Sequence, residues 1–224
     1  MNFVVRIPLT PTPEQAASLK ALQAAFAEAC NALAPLVQQS RTWNRVALHH
    51  MAYRQMRARF PALGSQMVCN AIYSVSRAAR GVFQSPASPY RLQRLGDAPL
   101  PLLKFGAESP VFFDRHTMSI KDGQLSMFTL DGRGRFDIGL KLEVEHHFRF
   151  DKLREIVLAR RSAGYELMFR FDDVRDDAAA PPAESDLPEY VLVLEAPPPA
   201  ARADALATVA ERAQDKPQDK APLQ

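Results

Sequence analysis

Five histidines, two cysteines and several acid pairs are the residues of this 224-residue chain with the potential for catalysis or metal binding. His49-His50 and His146-His147 are adjacent pairs, which cannot both face one point on a regular helix, and His116 stands apart. No His-Glu-x-x-His run or Cys/His spacing accompanies them, so the pattern does not specify a zinc site. Cys30 and Cys69 each fall inside a helical apolar pattern, which excludes a disulfide framework and a cysteine-based zinc site. Gly132-Arg133-Gly134 lacks the further glycine and the flanking strand and helix of a dinucleotide loop, and no Gly-Lys-Ser or Gly-Lys-Thr phosphate loop occurs. Gly164-Tyr165 reads as a turn, with no Gly-x-Ser-x-Gly nucleophile elbow. Asp172-Asp173 and Asp176-Asp177 sit in a polar stretch that reads as solvated loop. The sequence therefore assigns no catalytic residue, no metal and no cofactor.

Basic residues interleaved with aromatics remain. The formal charge is +8 over residues 1–100, +2 over 101–170 and −7 over 171–224. Ten of the eleven cations in the first hundred residues are arginines, whose planar fork suits phosphate better than the point charge of lysine. A polyanion is the natural partner, the alternative being a solvated surface enriched in arginine by codon usage. Trp43, between Arg41 and Arg45, could stack on a base or could belong to the core. Arg45, Arg54, Arg57, Arg77 and Arg80 could cradle a phosphate backbone from two adjacent helices. Lys104, Arg133, Arg135 and Lys141 on the strands, with Arg91 and Arg94 in the polar segment between, would extend that surface.

These residues need elements to hold them. Phe3 to Leu9 reads as a short strand that Pro8 closes. Thr12-Pro13-Glu14-Gln15 is a capping box opening a helix, with Leu19, Leu22, Phe26, Cys30 and Leu33 at helical spacing and Pro35 marking its end. A second helix is predicted from about Asn44 to Phe60, with Val46, His50, Tyr53, Met56 and Phe60 on one face. Pro61 and Gly64 break the chain, and a third helix from near Ser65 buries Val68, Ala71, Ile72, Val75 and Val82. Three amphipathic helices can share one core.

From residue 100 the apolar period shifts from 3.6 to 2. Leu102–Phe105, Val111–Phe113, Thr117–Ile120, Leu125–Leu130, Arg135–Leu140, Arg154–Arg161, Tyr165–Phe171 and Tyr190–Glu195 are predicted strands, and Asp122-Gly123 and Asp131-Gly132 are turn signals. The fold class is α+β, with a small antiparallel barrel or sandwich. Residues 196–224 are read as a mobile, Ala/Pro-rich and polar tail. No run of eighteen apolar residues and no signal-peptide pattern occurs, so a cytoplasmic protein without membrane contact is expected.

Several runs carry a family resemblance. Leu9-Thr10-Pro11-Thr12-Pro13-Glu14-Gln15, Leu48 to Arg57, Ser65 to Val68, Asn70-Ala71-Ile72 and Ala78-Ala79-Arg80 resemble, in order and spacing, the N-terminal half of the TnpB/OrfB transposon-encoded RNA-guided nucleases. The later runs Phe113 to Ser119 and Ser126 to Arg133 look like the same family's barrel segment. That family is related to miniature type V CRISPR effectors. The resemblance implies a wedge barrel of OB-like type, formed by residues 1–10 and 100–195, with a three-helix recognition lobe, residues 11–90, inserted after the first strand. It implies a structured or guide RNA as partner and target DNA as a further one, with sequence read by base pairing.

The sequence departs from the family where the RuvC-like nuclease domain would follow: Leu192-Val193-Leu194-Glu195 leads into Pro-rich chain, without the Asp-x-Gly strand or the zinc-binding Cys pairs. His116 stands where the family has Arg, and Arg80 where it often has Lys. The expectation is a nuclease-deficient RNA-binding protein and not an enzyme. The alternatives are the non-catalytic part of a split nuclease, with a separate nuclease subunit as partner, or a protein-interaction module.

Overall fold

The computed structural model describes residues 2–121, 123–139, 147–148, 152–162, 164–172 and 190–194. Its first strand, β1 (Asn2–Leu9), leads through Thr12 into α1 (Pro13–Ser40). The Thr12 hydroxyl accepts the Gln15 amide at 3.3 Å and the Gln15 side chain accepts the Thr12 amide at 2.8 Å, so the capping box closes as the sequence predicts.

The helix does not stop at Pro35. It runs on to Ser40 because the last turns are held by tertiary contacts: Val37 is buried and the Gln38 amide donates to the Leu100 carbonyl at 2.8 Å. A proline inside a helix removes one backbone bond, and here packing outweighs that loss. The helix ends at Arg41, whose backbone is left-handed at φ 51° and whose guanidinium donates to the Gly96 and Ala98 carbonyls at 2.6 and 2.8 Å.

Asn44 caps α2 (Arg45–Arg59), its side chain accepting the Val46 and Ala47 amides. The buried stripe of α2 is Leu48, Ala52 and Met56; of the predicted face Met56 is buried and Tyr53 and Phe60 pack partly buried against the core, whereas Val46 is 63% exposed and His50 is exposed. Two apolar stripes compete on this helix, and the one with uninterrupted i, i+4 spacing faces the core. A 3-10 turn at Pro61–Leu63 carries the chain into α3 (Gly64–Gln84), where Gly64 takes a φ of 66° that other residues rarely adopt. Val68, Ala71, Ile72, Val75 and Val82 are all buried, as the periodicity predicts. A single turn, α4 (Leu92–Leu95), follows.

The strands are β2 (Leu102–Phe105), β3 (Val111–Phe113), β4 (Met118–Lys121), β5 (Gln124–Thr129), β6 (Gly132–Asp137), β7 (Lys152–Arg161), β8 (Gly164–Asp172) and β9 (Val191–Leu194). The fold is α+β, with every pairing antiparallel. The strands form three sheets, in the orders β1-β8-β7-β3, β2-β9 and β4-β5-β6, and each is open among the described residues.

β1 pairs with β8 from Asn2↔Asp172 to Leu9↔Tyr165, so the chain's first strand lies against one that follows the helices and most of the other strands. Side chains from β1, α1 to α3 and β2 to β8 share one hydrophobic core. Asn31 fastens α1 to β2, donating to the Phe105 carbonyl at 2.9 Å and accepting its amide at 2.7 Å. Residues 196–224, read above as a tail, lie outside the described residues.

Candidate nucleic-acid interface

With only Leu48, Ala52 and Met56 buried, α2 turns most of its surface outward. Arg45, Arg54 and Arg59 are exposed, and His49 stacks on Tyr53 at 4.6 Å. Arg57 is half-buried, and its Nη1 is a buried side-chain donor with no hydrogen-bond partner among the described residues. A buried unsatisfied donor is costly, and an anionic oxygen would satisfy it.

Arg45 and Arg57 both lie close enough to Cys69 of α3 to favour its thiolate. Burial outweighs them, and with Asp114 nearby it keeps the thiol above its ordinary value. The Arg45 guanidinium sits 5.6 Å above the ring of Tyr73, within cation–π range. On α3, Arg80 is exposed one turn beyond Arg77.

Tyr73 leads to a buried acid, Glu155. A register shift between Leu153 and Glu155 brings Glu155 opposite Arg170 on the β7–β8 pair. The Glu155 carboxylate accepts the Tyr73 hydroxyl at 2.9 Å, pairs with Arg77 at 2.8 Å and approaches Arg170 at 3.8 Å. Burial foremost, then the Glu155 charge, pushes the Tyr73 phenol up.

Arg77 also lies 5.9 Å over the Phe112 ring. The guanidinium expected to grip phosphate is therefore also engaged by an internal carboxylate. The reason is long-range: Glu155 reaches it from 78 residues away in the chain. Beside this cluster opens a cleft of about 410 Å³, to which β7 and β8 contribute Arg160, Arg161 and Arg170. Sequence reading missed these three, although the Arg160-Arg161 pair next to a turn signal was visible in it.

At the other end, the turn between β3 and β4 is held by Asp114. Its carboxylate accepts the His116 and Thr117 amides at 2.9 and 3.0 Å and the Gln66 side chain of α3. Arg133 of β6 donates to the His116 carbonyl at 3.0 Å and lines a smaller pocket of about 220 Å³ with Gln66 and Phe128. Arg77 and Arg170 thus share Glu155, while Arg133 meets the Asp114 turn through the His116 carbonyl.

The remaining predicted residues divide. Arg135 is exposed on β6, and its backbone carbonyl accepts the Gln15 side chain. Lys104 is exposed on β2, opposite Leu192. Arg91 is half-buried before α4, and Arg94 donates to the Ser88 and Pro86 carbonyls, which fixes the Pro-rich linker. Lys141 lies outside the described residues.

Trp43 is corrected: it is only 9% exposed, its ring lies 5.5 Å from that of Phe83, and its carbonyl accepts the Ser76 hydroxyl at 2.6 Å. It packs in the core and offers no face to a base.

No family model matches this chain, and a search of curated proteins finds none that does. Among the described residues, no group of three His, Cys, Asp or Glu side chains is placed to hold a metal ion. No helix among them is long and apolar enough to cross a membrane.

Proposed function

We propose that this protein is a nuclease-deficient RNA-binding protein of the kind its sequence resembles, the recognition-and-wedge half of a TnpB/OrfB-type RNA-guided nuclease. In this reading α1 to α3 correspond to the recognition lobe, and the three sheets correspond to the wedge barrel. The bound species is a structured or guide RNA, with target DNA engaged through it, and the chain supplies grip and no bond-breaking group. The observation that carries the reading is the arginine surface of α2, where Arg45 and Arg54 are exposed and the buried Arg57 Nη1 has no partner among the described residues. Phosphate oxygens are the acceptors such donors fit, and a strand laid along them would release counterions on binding.

The test is direct. Protein purified after expression with its native flanking DNA should retain RNA, whose sequence identifies the ligand. Replacing Arg54 and Arg57 together by Glu should abolish that retention while the circular dichroism spectrum stays unchanged. Protein free of nucleic acid that binds no RNA at low salt would refute the reading.

A further inference from the structure

The cleft beside Glu155 has a floor and a rim of different chemistry. Val157 of β7 and Met168 of β8 are register partners, so they share one face of the sheet, and Ala159 continues it. Pro110 and Phe112 complete an apolar floor, and Tyr190 stands at the edge. Around that floor lie four guanidiniums and two carboxylates. Arg77 and Arg170 share Glu155, and Arg160 pairs with Glu108 at 2.5 Å. Arg161 is exposed at the end of β7 and has no ion partner among the described residues. Among the described residues four guanidiniums thus face two carboxylates, and the guanidinium fork suits phosphate oxygens.

We propose that this cleft holds a single nucleoside 5′-phosphate unit, with the base over Val157, Met168 and the Tyr190 edge and the phosphate at Arg160 and Arg161. A volume of about 410 Å³ falls in the range of small-molecule sites, about 300–1,000 Å³, which are mostly apolar with a few convergent polar groups. A bare inorganic anion would leave the apolar floor unused, and an acidic peptide would bring no flat ring to cover it. The Glu155 hub holds Arg77 and Arg170 in place before a ligand arrives, so little side-chain entropy is lost on binding. The inference deepens the RNA-binding reading, because one unit of a bound strand would be clamped here, but a free nucleotide has the same chemistry.

The two sources separate in one set of titrations on the full chain, followed by calorimetry. AMP should bind, and adenosine should bind at least about tenfold more weakly. Arg161→Glu, at an exposed position, should weaken AMP by about tenfold or more, and Ala159→Trp, which fills the floor, should do the same. If the unit comes from a strand, a short oligoribonucleotide will bind more tightly than AMP and lose affinity in Arg161→Glu. If it is a free nucleotide, AMP will bind as tightly as the oligomer or more so. Retained RNA binding with no AMP affinity at millimolar concentration would overturn the cleft while leaving the RNA-binding reading intact. AMP binding unaffected by Arg161→Glu, or displacement by a poly-glutamate peptide as effective as by AMP, would also overturn it. Loss of all RNA binding with AMP still bound would remove the broader reading and leave a nucleotide site.

Discussion

Glu155 gathers a tyrosine and two arginines onto one buried carboxylate. Removing one member of such a buried group strips the others of a charge partner, which costs about 3–5 kcal/mol at fully buried sites. Arg77 keeps some solvent contact, with 23% of its side chain exposed. Glu155→Ala should therefore lower stability by about 2–3 kcal/mol, read as a fall in the urea midpoint.

Cys30 offers a second residue-scale test. It is fully buried, and burial pushes its thiol up from an ordinary 9.0 to about 12. Below pH 9 the thiol is protonated in both folded and unfolded chains, and its contribution is intact. Above pH 9 only the unfolded chain ionises, so stability should fall steadily as pH rises toward 12. Tyr73, also raised, acts in the same direction. The slope of the urea midpoint against pH above 9 should be shallower in Cys30→Ala, though that variant is less stable at neutral pH.

Among the elements, the sequence is most legible where the determinant is local. The Thr12 capping box, the Gly64 break and the α3 stripe follow from neighbours within four residues. The α2 face does not, because either of two stripes could have been buried and only the position of α3 decides. Substitution separates them: Leu48→Ala should cost about 2–4 kcal/mol, whereas Val46→Ser should change the thermal midpoint hardly at all. Asn44→Ala, losing both amide contacts of the α2 cap, should cost about 1 kcal/mol. Pro35 misleads for the same reason as the α2 face, since Val37 and Gln38 find partners far along the chain. The partition of strands into three sheets and the ends of the Glu155 cluster were equally hidden, because strand composition says which residues are extended and not which strands meet.

For the molecule as a whole, the charge asymmetry legible in composition becomes a geometric statement. Arg45 and Arg54 are exposed on α2, Arg80 on α3 and Arg135 on β6, while Arg77 is drawn to Glu155. Arg94 and Trp43 were drawn into structural duties that no local pattern announces. If RNA lies along α2, the logarithm of the binding constant should fall linearly with the logarithm of salt concentration. Replacing Arg45, Arg54 and Arg57 by Gln should reduce that slope by about 2, at about 0.7 per lost single-strand phosphate contact. A filter-binding series between low and physiological salt measures it.

The marriage of β1 to β8 bears on how the chain is born. Arg6 and its ion-pair partner Glu166 are 160 residues apart, and a ribosome adding about 5–20 residues per second needs on the order of ten seconds to bridge that interval. For that time the helices can collapse upon one another while the leading strand, with Ile7 and Leu9 bare, waits for its mate. Nascent chains halted before residue 164 should accordingly expose their first ten residues to protease or chaperone, and chains released beyond residue 172 should shield them.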